Sequence, residues 1–148
     1  MKISKIAIGC DHCGYAYKNT ILDLLMERKI AIIDMGPYLE ESVDYPDHVH
    51  PVSDAIEKGE ADMGIILCGS GNGAAMTANK HQGIRAALCW SEKIAELARQ
   101  HNNANIISIP ARFVGQPLAL DMIKVFLDTE FEGGKHERRI NKMSCNIA

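Results

Sequence analysis

Apolar residues along the chain fall into short β-branched runs separated by stretches with helical spacing. Ile3 to Gly9 reads as a strand, and Tyr17, Ile21, Leu22, Leu25 and Met26 then recur at helix spacing. Ala31-Ile32-Ile33 is a second short strand, stopped by Gly36-Pro37, and Val52, Ala55 and Ile56 mark a short helix ending at Gly59. Met63 to Leu67 is continuously apolar, as a strand buried on both faces should be. A glycine-rich turn and a helix to about Lys80 follow. Arg85 to Cys89 and Asn105 to Ile109 are the last two strands. Ser91 is placed to cap the helix that carries Ile94, Leu97 and Ala98, and Pro117 opens the helix that carries Leu118, Met122, Ile123 and Phe126.

Five β–α units in succession predict an α/β fold. It is a single three-layer α/β/α domain over residues 1–148, with a five-stranded parallel, Rossmann-like sheet. An eight-unit barrel needs roughly 250 residues and is excluded for a chain of 148. The basic stretch after Gly133, Gly-Lys-His-Glu-Arg-Arg-Ile, forms a C-terminal helix or tail beyond the last unit. Open sheets of this kind bind ligands beyond the carboxyl ends of their strands, so the loops after the first, third and fifth strands carry most interest.

Composition narrows the function. Acidic residues number 19 and basic residues 16, a net charge of −3 that argues against a general nucleic-acid binder. No apolar run is long enough to span a membrane, and the first residues lack the pattern of an export signal. The five cysteines are an odd number without disulfide-rich spacing, which suits reduced thiols in a cytoplasm.

The strongest local signal is Leu67-Cys68-Gly69-Ser70-Gly71-Asn72-Gly73. Three glycines in five residues, between a buried strand and a helix, let several N–H groups point at one spot, an anion hole. Cys68 at its rim reads either as a thiol made easier to ionise, a base or nucleophile, or as a small core residue before a tight turn. The loop lacks the Gly-Lys-Ser/Thr of a P-loop. Gly69, Gly71 and Ala74 fit a dinucleotide fingerprint, but in the third β–α turn rather than the first.

Other positions carry alternatives. Asp11 and His12 end the first strand, as sugar or phosphate ligands or as a helix cap beside an exposed histidine. Cys10 and Cys13 form a C-x-x-C that could be redox-active. His48 and His50 share a face of an expected extended segment next to Asp47, which suits surface histidines better than metal ligands. His101 at a helix end is a dipole-complementing residue or a general acid. Lys135, His136, Arg138 and Arg139 form a solvated face or a phosphate grip.

Six segments, taken in order, resemble one family. They are Gly9-Cys10-Asp11-His12, Val43-Asp44-Tyr45-Pro46-Asp47, Cys68 to Gly73, Ala78-Asn79-Lys80, Gly83-Ile84-Arg85-Ala86-Ala87 and Arg99-Gln100-His101-Asn102. They look like type B ribose-5-phosphate isomerase, a family that also holds galactose-6-phosphate and allose-6-phosphate isomerases. The resemblance implies aldose–ketose isomerisation without metal or cofactor, in a homodimer or homotetramer whose active sites are shared between subunits. It makes Cys68 the base and His101 the residue that opens the furanose ring. It places Asp11, His12, Tyr45, Asn102, Arg112, Lys135 and Arg139 around the substrate, with Gly69, Ser70, Gly71, Asn72 and Gly73 as the anion hole.

Departures from the pattern sharpen it. The Ser70/Asn72 loop belongs to members that use a glutamate base, yet Ala74 stands at the glutamate's position, which leaves Cys68. Lys135 stands where an arginine is usual and keeps the charge without the planar fork. A six-carbon sugar phosphate as substrate, a non-catalytic sugar-phosphate module and a dinucleotide binder are the competing readings.

Overall fold

Every residue from Met63 to Cys68 is buried, because this run forms the middle strand of a sheet covered on both sides. The computed structural model describes residues 2–145; residue 1 and residues 146–148, the ends of the expected domain, lie outside the described residues. The strands are β1 (Lys5–Cys10), β2 (Ala31–Asp34), β3 (Met63–Cys68), β4 (Ala86–Leu88) and β5 (Ile106–Pro110). They form one sheet in the order β2-β1-β3-β5-β4, and every pair is parallel. The helices are α1 (Tyr15–Glu27), α2 (Tyr45–Glu57), α3 (Asn72–Ala78), α4 (Glu92–Asn102), α5 (Gln116–Asp128) and α6 (Lys135–Ile140).

Strand alternation sorts the core into two halves. Ile6, Ile8, Ile65, Leu67, Ile107 and Ile109 face α1, α4 and α5. Ala7, Ile66, Cys68 and Ile106 face α2 and α3. On the second face Gly9 and Gly64 leave room for α2. A Cβ on Gly9 would stand 2.2 Å from the His48 carbonyl oxygen, and one on Gly64 2.6 Å from Val52 Cγ1. Close approach of α2 is therefore written into two small residues of the strands.

That approach also explains where the sequence reading falls short. The helix expected near Val52 to Ile56 begins at Tyr45 and runs through Pro51. Pro46 suits the first turn, where its missing N–H costs nothing. Pro51 forfeits one intrahelical bond, but Val49, Val52, Ser53 and Ala55 are buried against the sheet, which offsets it. His48 and His50 therefore do not share a face of an extended segment. Two residues apart on a helix, they point about 200° from each other. Elsewhere the caps follow the sequence: Ser91 Oγ accepts from Ile94 N–H at 3.2 Å, and α5 carries its proline in the first turn. Among the described residues no helix is long and apolar enough to cross a membrane.

Candidate active site

The chain leaves β1 for the sheet edge at β2 and returns to β3, so a switch point lies between β1 and β3. Backbone bonds stitch the loops beyond β1, β3 and β5 together. Asp11 N–H donates to Leu67 O at 3.2 Å, Ala111 N–H to Cys68 O at 2.9 Å, and Arg112 N–H to Gly69 O at 3.0 Å. The three loops singled out from the sequence thus form one rim.

Cys68 ends β3 and is only 5% exposed. Burial pushes its thiol up; the N–H groups of Ala74 and Gly71, hydrogen-bonded to it, act the other way, while Asp11 and Cys13 add to the rise. The expectation of an easily ionised thiol fails on this balance. A seven-residue helix and two donors do not outweigh loss of water around the sulfur.

The glycine loop is shaped by its neighbours. Gly71 has φ +77°, and a Cβ there would lie 2.5 Å from Leu88 Cδ1. Ser108 Oγ, fully buried in β5, donates to Gly71 O at 2.8 Å and holds the turn from below. The Tyr45 ring lies against Gly73, where a Cβ would be 2.4 Å from Cζ. Arg112 passes over Gly69, and Asn72 N–H donates to Ser70 Oγ at 3.3 Å. His12, Ser70, Asn72 and Arg112 are exposed, whereas Asp11 is buried. Asp11 does not cap α1, whose N-cap is Gly14; its Oδ1 accepts from Cys13 N–H at 2.8 Å and Gly14 N–H at 3.3 Å. The carboxylate thereby fixes the turn that overhangs Cys68.

His101, Asn102, Lys135 and Arg139 stand elsewhere. An α4 that starts beyond the carboxyl end of β4 ends at the amino edge of the sheet. There Arg85 Nε donates to Asn102 O and Asn103 O at 3.0 Å, and Gly64 N–H to Asn105 O at 2.8 Å. α6 packs beside α4, and its His136 ring stacks on His101 with centroids 4.3 Å apart and planes 11° apart. His101 Nε2 lies 3.5 Å from Glu132 Oε1. Five strand rises of about 3.3 Å along β3 place this group roughly 16 Å from Cys68 at least. One chain does not bring its two sets of expected site residues together.

Other candidates resolve. Cys10 is fully buried and pushed up to about 12, chiefly by burial, so it is not the exposed, acidic thiol that a redox C-x-x-C motif needs. His48 Nδ1 pairs with Met35 O at 2.8 Å, while His50 Nδ1 pairs with His81 Nε2 at 2.7 Å, which separates the two as metal ligands. Among the described residues, two groups bring potential metal-ligating atoms within 4.8 Å of one another: His101, Glu132 and His136, and Asp54, Glu57 and His81. Sequence reasoning missed Ser108 and Glu132. A lone serine inside the apolar run Ile106 to Pro110 was a readable signal; nothing local marked Glu132.

Comparison with known proteins bears on the family and the fold. The family model described as Ribose/Galactose Isomerase matches residues 6–143. Ribose-5-phosphate isomerase B of Escherichia coli (strain K12) is 40% identical over 143 residues, 97% of this chain and 96% of the relative. The crystal structure of a ribose 5-phosphate isomerase from Thermotoga maritima matches with a TM-score of 0.93 at 48% identity, covering 95% of this chain and 97% of that one. Ribose-5-phosphate isomerase B from Mycoplasma genitalium, solved with bound ribulose-5-phosphate, matches with a TM-score of 0.92 at 41% identity, covering 97% and 95%.

Proposed function

The chain belongs to the ribose/galactose isomerase family, and from that premise we propose that it interconverts ribose 5-phosphate and ribulose 5-phosphate through an enediolate. The observation that carries this reading is the placement of Cys68, buried under the N–H groups of Gly71 and Ala74 at the sheet's switch point. Pentose rather than hexose is favoured by the ribulose-5-phosphate bound to the Mycoplasma genitalium relative.

Isomerisation moves one proton from C2 to C1 of the open-chain aldose. Cys68 takes that proton and returns it, a general-base role. The oxygen that gains negative charge faces those backbone donors of Gly69 to Gly73 that Cys68 and Ser70 do not already engage, and each such donor typically contributes about 3–4 kcal/mol to the transition state. Ring opening comes first. His101 protonates the ring oxygen, and Asp11 accepts the anomeric proton. Arg112, Lys135 and Arg139 grip the phosphate far from the reacting carbons, so that binding energy serves positioning.

Because His101, Asn102, Lys135 and Arg139 stand at the opposite edge from Cys68, a second copy of the chain supplies them to each site. The substrate is a small sugar phosphate, and the functional unit is a homodimer or a pair of them. The five free cysteines fit a reducing, cytoplasmic setting.

The test is conversion of ribose 5-phosphate to ribulose 5-phosphate by purified protein in EDTA, with allose 6-phosphate and galactose 6-phosphate alongside. Turnover of the pentose is expected. Turnover of a hexose phosphate alone would move the substrate and keep the mechanism. No turnover of any of the three by folded protein would sink the catalytic reading and leave a binding module.

A further inference from the structure

We infer that His101, Glu132 and His136 form a site for a divalent transition-metal ion of the zinc class, and that its occupation withdraws His101 from ring opening. The second half rests on the reading of His101 given above; the first does not.

Three elements converge on the site. His101 lies in the last turn of α4, His136 in the first turn of α6, and Glu132 in the segment between α5 and α6. Glu132 is fastened by its own N–H to Gln100 O at 3.0 Å, beside His101. Two imidazoles and a carboxylate are a donor set that zinc takes with a fourth position open. An ion about 2.0–2.2 Å from each donor, in tetrahedral array, sets the donors about 3.3 Å apart. His101 Nε2 and Glu132 Oε1 already stand at 3.5 Å. All three ligating atoms lie within 4.8 Å of one another, and His136 must rotate off its stack for its lone pair to meet the ion. In the single chain the side chains of His101 and Glu132 are 42% and 49% exposed.

The ring nitrogens are available to a metal when neutral. Lys135, Arg138 and Arg139 on the same short helix oppose a cation, while Glu132 and Glu137 favour it. This opposition makes the ion a reversible ligand rather than a resident one. Such an ion plays no part in the isomerisation itself; it competes for the imidazole that the reaction uses.

The experiment compares the metal-free parent with Glu132→Gln and His136→Asn. Equilibrium dialysis against zinc at neutral pH should give one ion per parent chain. Even outer-shell partners are worth ten- to a hundredfold in metal affinity, so each variant should bind more than about tenfold more weakly. Cobalt(II) in place of zinc should give d–d bands without a thiolate charge-transfer band. Absence of saturable binding, parental affinity in both variants, or a thiolate band would overturn the site. Zinc should also slow consumption of ribose 5-phosphate by the parent, reversibly by EDTA, with the variants less sensitive. Stoichiometric zinc at this site with an unchanged rate would overturn the withdrawal of His101. A metal-free parent that never turns over ribose 5-phosphate would overturn the proposed function instead, and dialysis would still decide the site.

Discussion

Cys68 sits under two opposing influences, and their balance can be measured. Two N–H groups stabilise its thiolate, yet burial dominates and raises its pKa from 9.0. A base with a raised pKa is mostly protonated near neutrality, so its rate should climb with pH, without a plateau below 9.0. Ribulose 5-phosphate, which cannot close to a furanose because its 5-hydroxyl is phosphorylated, isolates this step from ring opening. Initial rates from that substrate should therefore rise steadily toward alkaline pH, and Cys68→Ala should remove nearly all turnover while sugar-phosphate binding survives. A flat profile, or a fully active alanine variant, would reject Cys68 as base. Cys10 and Cys89 make a separate prediction about stability. Burial raises both from 9.0 to about 12. The folded state holds them as thiols while the unfolded chain ionises above 9.0. Their contribution is intact below 9.0 and is lost as pH rises toward 12, so the urea midpoint should fall across that window. A midpoint that stays level there would contradict their burial.

At the scale of elements, the turn between β3 and α3 is confined by both backbone and neighbours. Gly71 combines φ +77° with a Cβ position 2.5 Å from Leu88 Cδ1, whereas Gly133 has φ +69° and open space around it. Alanine at either costs left-handed strain, on the order of 1–3 kcal/mol. Only Gly71→Ala adds a collision and disturbs the donors over Cys68. Chemical denaturation should show Gly71→Ala to be the more destabilised, and it alone should lose activity. Equal losses at the two positions would mean that backbone strain, not packing, rules the turn. The helix caps and apolar spacings here were readable because each depends on residues within one turn of each other. The extent of α2 was not, since Pro51 signals a break that only burial of Val49, Val52 and Ala55 against Gly9 and Gly64 overrides.

At the scale of the molecule, the two halves of the expected chemistry lie on opposite edges of one sheet. If each site takes Cys68 from one copy and His101 from another, two inactive variants should rescue each other. Mixing Cys68→Ala and His101→Ala chains, unfolding and refolding them together, makes half the dimers mixed, each with one intact site. Recovery of about a quarter of the parental rate on ribose 5-phosphate is expected from an isologous pair. No recovery above the separate variants, with mixed dimers demonstrated by mass, would place each site within one chain.

The sequence by itself determined the alternation of elements, the parallel class of sheet, and the turn of glycines behind a thiol. Those features follow from side-chain periodicity and backbone freedom, which act over a few residues. Tertiary structure alone decided the strand order that joins the loops of β1, β3 and β5, and the burial that raises Cys68 rather than lowering it. It also decided the meeting of His101, Glu132 and His136, and their distance from Cys68. Each of these depends on partners far apart in the chain, and solvation and proximity are fixed only when the layers close around them.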